Sequence, residues 1–160
     1  MAALLRGARR ACGHNSGDDH ELWIDGRPFL STIGPEYPEA LTDVVESGLP
    51  RLLGWTPRAV VTVAAMCNDA EDHRLLGRLC LALCEATGGI VAFGGALPFG
   101  PDVEGLAPSS PLRVTNPGGL AGVLLVASYE TVSGALATTH YGDASLLRAW
   151  LAQPTFHMIK

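Results

Sequence analysis

The chain has 160 residues, 48% of them hydrophobic and 17% charged, which suits one domain with its own core rather than a disordered polypeptide. Its formal charge is −5, but Arg6, Arg9 and Arg10 stand in residues 1–17 without an acid; the remaining eight basic residues face sixteen acidic ones, a net of −8. Such a body lacks the clustered Lys and Arg that nucleic acid requires, Lys160 is the single lysine, and no apolar run approaches the ~18 residues of a membrane helix.

In chain order, "MAALLRGARRACGHNSG" is basic, yet its apolar stretch is too short for a secretory signal, and Arg9-Arg10 is not followed by an apolar segment. Residues 1–19 are read as a basic, disordered tail and 20–160 as one domain. "HELWIDG" alternates apolar and polar residues and predicts a first strand closed by Asp25-Gly26. "RPFLSTIGPEYP", with Pro28, Pro35 and Pro38, is expected to be loop or edge. Residues 38–55 have helical spacing, interrupted at Gly48 and Pro50. "RAVVTVAAMC" is a continuous apolar run and predicts a central strand buried on both faces.

The next segment, from Asn68 to Gly89, is the clearest helix. Asn68 or Asp69 caps it, acids fill its first turn, Leu75, Leu76, Leu79 and Leu83 mark its apolar face, and Gly88-Gly89 stops it. "GIVAFGGAL" predicts a strand, making a βαβ-like unit or an antiparallel pair with the helix on one face. A long Pro- and Gly-rich loop covers 98–119, and "LAGVLLVASYE" predicts another strand. "DASLLRAWLAQ" predicts a short helix capped by Asp143 and ended by Pro154, and "TFHMIK" a last short strand. The expected fold is α+β: a single mixed or antiparallel sheet covered by about three helices.

Three constellations invite a chemical reading. His73, Cys80 and Cys84 share a helix face, but His73 and Cys80 lie ~10.5 Å apart along the axis, too far for one zinc with bonds of ~2.0–2.3 Å. No metal site is expected, and Cys80 and Cys84 are read as small apolar residues. Cys67 stands before a helix start, where a thiolate is stabilised. With His73 or His140 as base, and Asp72 or Asp143 to orient it, a thiol-dependent hydrolase or transferase is the enzymatic alternative. Cys67 lacks the glycine flanks of a nucleophile elbow. "GGIVAFGG" is not a phosphate-binding turn, and no cofactor is expected. The four cysteines make no disulfide framework and are read as reduced thiols in a cytoplasm.

The segments "CNDAEDHRLLGRLCLALCEATGGIVAFGGAL" and "DASLLRAWLAQPTFHMIK" resemble an uncharacterised family of small proteins from high-GC actinobacteria, a domain of unknown function. The resemblance covers most of 20–160 and implies no activity or catalytic residue. Where that pattern leads one to expect an Asp between Val91 and Phe93, this chain has Ala92. In size and class the chain is also similar to immunity proteins that neutralise toxins. The sequence is therefore read as a non-enzymatic, cytoplasmic binding protein, immunity- or antitoxin-like, whose acidic surface binds a basic partner such as a toxin domain. Asp102, Glu104, Trp23, Tyr37, Trp55 and Tyr129 are the candidate contacts, since aromatics anchor interfaces. A structural or oligomeric subunit is the third alternative.

Overall fold

The computed structural model describes residues 9–10, 18–34, 50–51, 53–55, 60–98, 112–115, 119–130 and 133–158. The first sheet is built from β1 (Arg9–Arg10), β2 (Asp18–Ile24), β3 (Arg27–Gly34) and β4 (Val60–Ala65), in that spatial order and antiparallel throughout. Helix α1 (Ala70–Thr87) then leads to the second sheet. That sheet contains β5 (Val91–Ala92), β6 (Leu112–Thr115), β7 (Leu124–Glu130) and β8 (Leu136–Gly142), in the order β5-β8-β7-β6. Helix α2 (Ala144–Leu151) follows.

The α+β class holds, but the single sheet under about three helices does not. There are two separate four-stranded sheets, and two helices among the described residues. Because β4 and β5 belong to different sheets, α1 is a bridge between sheets; it is neither a βαβ crossover nor the cover of an antiparallel pair. The predicted helix over 38–55 lies mostly outside the described residues; near its end, Gly54 donates its N–H to Pro50 O at 2.9 Å.

Asp25 and Gly26 both have positive φ, 50° and 75°, as a two-residue type I′ hairpin turn requires. That turn sets the register of β2 and β3, with Ile24 opposite Arg27 and Trp23 opposite Pro28. It also explains how a proline-bearing segment becomes an internal strand. The pair flanking such a turn exchanges N–H bonds, so the next pair, Trp23–Pro28, does not. Pro28 therefore lacks an N–H only on the β4 side, at the very end of the ladder, where its carbonyl still accepts from Met66 at 3.1 Å. The expected central strand is in fact β4, at the sheet's edge among the described residues, with Val61, Thr62 and Ala64 exposed.

One buried apolar cluster joins the two sheets. It runs from Phe29 through Leu75, Leu76 and Cys84 of α1 to Leu124 and Val126 of β7, and closes on Leu146, Leu147 and Trp150 of α2. Strand β7 is buried along Leu124, Leu125, Val126 and Ala127, so it occupies the doubly covered position that the sequence suggested for β4. Asp143 caps α2 through the Leu146 N–H at 2.8 Å and also accepts from Val123 N–H at 3.2 Å, tying the start of β7 to that helix. Arg148 of α2 forms an ion pair with Glu85 of α1. Residues 156–158 are not a strand; they lie against the helices with Phe156 and Met158 buried. Gly77 permits this, since a Cβ there would meet Phe156 Cζ at 2.5 Å.

Candidate functional site

The cluster at the start of α1 is occupied with its own architecture. Asp69 is the N-cap, and its Oδ1 accepts from the N–H groups of Glu71 (2.9 Å) and Asp72 (3.0 Å). Asp72 Oδ2 accepts from Asp69 N–H at 2.9 Å, completing a reciprocal capping box. Arg27, just past the β2–β3 turn, donates from Nη1 to Asp69 Oδ2 and Asp72 Oδ1, both at 2.7 Å. The Asp72 carboxylate is almost fully buried, so a cation is needed beside it. The Arg27 hydrogen bond, followed by the Asp72 backbone N–H, holds the Asp69 carboxyl at about 2. Arg27 is in turn pushed above its ordinary value, first by Asp69 and then by Asp72. These groups bind the first sheet to the positive end of a helix dipole.

His73 does not bond to the Asp69 side chain. Its Nδ1 accepts the Met158 N–H at 3.2 Å, which leaves the neutral ring's proton on Nε2, and its ring stands edge-on to His157 at 6.4 Å. His140 is fully buried in β8 and strapped by the chain after β5: Phe93 N–H donates to His140 O, His140 N–H to Gly95 O, and Leu97 N–H to His140 Nδ1 at 2.9 Å. Its Nε2 is buried with no hydrogen-bond partner among the described residues, and burial lowers its pKa. Gly94, with φ 71°, turns the strap, so the predicted strand over 89–97 is only two residues long.

Cys67 is exposed two residues before the cap. Among the described residues no hydrogen bond joins it to His73 or His140, whose Nδ1 atoms are engaged elsewhere. Asp72 and Asp143, the residues read as orienters, serve Arg27 and a helix cap. Burial pushes the Cys80 thiol up to about 12 and the Cys84 thiol to about 11, as for small apolar residues in a core. No group of three or more potential metal ligands is found among the described residues.

One patch of exposed apolar surface lies on the outer face of the first sheet. Side chains alternate across a strand. Leu22, Phe29 and Ala65 stand in one register row facing the core, so the neighbouring row of Trp23, Pro28 and Met66 faces outward. Trp23 is 50% exposed and Met66 61%. The next outward row holds Glu21, Leu30 and Ala64. Asp25 at the hairpin tip and Asp69 beyond Met66 are exposed, Asp69 being paired with Arg27. Of the aromatics singled out in the sequence, Trp23 is brought into this row and Trp55 is exposed at 41%. Tyr129 lies in β7. Tyr37, Asp102 and Glu104 lie outside the described residues. Met66 and Pro28 were not singled out in the sequence; the signal was the hairpin register, which places Pro28 opposite Trp23.

A family model described as "Family of unknown function (DUF6368)" matches residues 3–160, and the chain belongs to that family. No curated protein and no solved structure matches it.

Proposed function

We propose that this member of the DUF6368 family is a protein-binding module, immunity- or antitoxin-like, acting in the cytoplasm on a basic partner, and that it docks through the outer face of the first sheet. The carrying observation is the Trp23–Pro28–Met66 row: three apolar side chains side by side on β2, β3 and the residue that follows β4, two of them at least half exposed. An isolated exposed apolar residue is ordinary, but a contiguous row with a polar rim is the anatomy of an interaction site. Tryptophan is the residue most enriched at interface hot spots, and methionine adapts to an opposing surface. Glu21 and Asp25 near the row, and the net −8 beyond residue 17, favour a basic partner by steering and by rejecting acidic ones. Asp102 and Glu104 extend the same acidic character, with Tyr37 and Trp55 as further contacts.

The test is capture of a partner by the immobilised full chain from an extract of its source cells, repeated with Trp23→Ala/Met66→Glu. The reading expects a basic protein, released by raised salt and lost from the double variant. An acidic partner, or equal capture by the double variant, refutes it.

A further inference from the structure

Among the described residues the two sheets have four edges, and three are blunted. The β1 edge is two residues long and both are arginine, β5 is two residues long, and β6 has four residues including Arg113. Short strands and charged residues are how proteins keep an edge from pairing with another chain. The fourth edge, β4, has neither. It reads Val-Val-Thr-Val-Ala-Ala over six residues, and residues 59–68 carry no charge and no proline.

The orientation of its unpaired groups follows from the register. Met66 donates to Pro28 O, so Val60, Thr62 and Ala64 direct their N–H and C=O groups toward β3. Val61, Val63 and Ala65 then direct theirs away from the sheet. Their side chains lie on the core-facing side, where Val61 is 41% exposed and its register neighbour Ile33 is 52% exposed. Among the described residues no strand pairs with that side of β4, so the sheet ends there in a strip of backbone donors and acceptors beside exposed apolar side chains.

We propose that this edge pairs with a second copy of the chain, β4 against β4 and antiparallel about Val63. The sequence is self-complementary in that register. Val63 meets the partner's Val63, Val61 meets the partner's Ala65 on the inner side, and Thr62 meets the partner's Ala64 on the outer side. No like charges are opposed and no large side chains collide. The three inward pairs are the hydrogen-bonded ones and supply about six inter-chain bonds, within the about 10 ± 5 of an ordinary interface. The symmetry is a two-fold axis normal to the sheet, and the contact is isologous. Two sheets of four strands become one of eight, with both Trp23–Pro28–Met66 rows on the same side. The inference does not rest on the partner-binding reading: it uses the β4 edge, not the outer row, and its tests involve no other protein.

Sedimentation of the full chain under reducing conditions over a concentration series is the first test, with Val61→Pro as the variant. Proline there removes an outward N–H and leaves the β3–β4 ladder bonds, so folding is retained while each copy loses a donor. The expected result is a concentration-dependent dimer whose dissociation constant rises about tenfold or more in Val61→Pro. The second test mixes Thr62→Cys with Ala64→Cys, each in a Cys12→Ser/Cys67→Ser background, under mild oxidation. These positions form a non-hydrogen-bonded pair with Cα atoms about 4.5 Å apart, within disulfide range, so the mixed disulfide should dominate over either homodisulfide. A chain that stays monomeric at the highest reachable concentration overturns the proposal. So does a dimer that yields no preferred mixed disulfide, whether or not Val61→Pro folds.

Discussion

Gly77 lies inside α1, where replacing glycine by alanine ordinarily stabilises a helix by about 1 kcal/mol. Here the opposite is expected. The added Cβ would stand 2.5 Å from Phe156 Cζ and 2.8 Å from Leu151 Cδ2, well inside contact distance. The Phe156 ring cannot easily yield. It is buried and packs edge-on against Trp150 with centroids 4.8 Å apart, and Trp150 in turn meets Phe93 at 5.5 Å. Overpacking of this kind costs about 1–3 kcal/mol, and two simultaneous clashes place Gly77→Ala toward the upper end. Set against the propensity gain, the net is a destabilisation of about 1–2 kcal/mol. Urea unfolding reads this as a lower midpoint at unchanged slope, with a fall in Tm of roughly 2–4 °C per kcal/mol for a chain of this size. Phe156→Leu adds the discriminating arm: it should cost less in the Gly77→Ala background than alone, the coupling expected of residues in contact. A Gly77→Ala variant more stable than the parent would refute the docking of the 156–158 segment on α1.

Asp143→Ala removes the N-cap of α2 and the acceptor for Val123 N–H; a loss of about 1–2 kcal/mol is expected by the same assay, and Asp143→Asn should retain most of it. His140 has its pKa lowered in the fold, so below its ordinary value of 6.5 the unfolded chain takes up the proton first. Its contribution is fully present above 6.5 and is lost as pH falls from there, so wild type should lose more stability between pH 7 and 5 than His140→Gln; equal slopes would refute the buried neutral ring. Peptide mapping after brief alkylation should find Cys67 modified in the native protein and Cys80 and Cys84 protected until denaturant is added; early labelling of Cys84 would contradict its place in the core.

Where the determinants are local, the sequence is transparent. Asp69 and Gly88 bound α1 because a side-chain acceptor starts a helix and a left-handed glycine ends one, and both are needed within one turn of the residues they serve. The same holds for Asp143 and for the Asp25-Gly26 hairpin. Sheet membership is different, since it depends on pairing between distant segments. The uncharged β4 run reads as buried because apolar continuity does not distinguish a central strand from an unprotected edge. β3 is obscured by Pro28, whose missing N–H is harmless only in the register set by the hairpin. The Cys/Asp/His cluster looked chemical because capping, ion pairing and catalysis draw on the same residue types. Arg27, which claims Asp69 and Asp72, is more than forty positions away and no spacing rule reaches it.

The central claim is that the outer row of the first sheet, and not the cluster at the start of α1, is the working surface. The most direct measurement is partner capture by three full-length baits under one condition: wild type, Trp23→Ala/Met66→Glu, and Cys67→Ser/His73→Gln. The account predicts equal capture by the first and third and loss by the second. Loss by the third with retention by the second would contradict it.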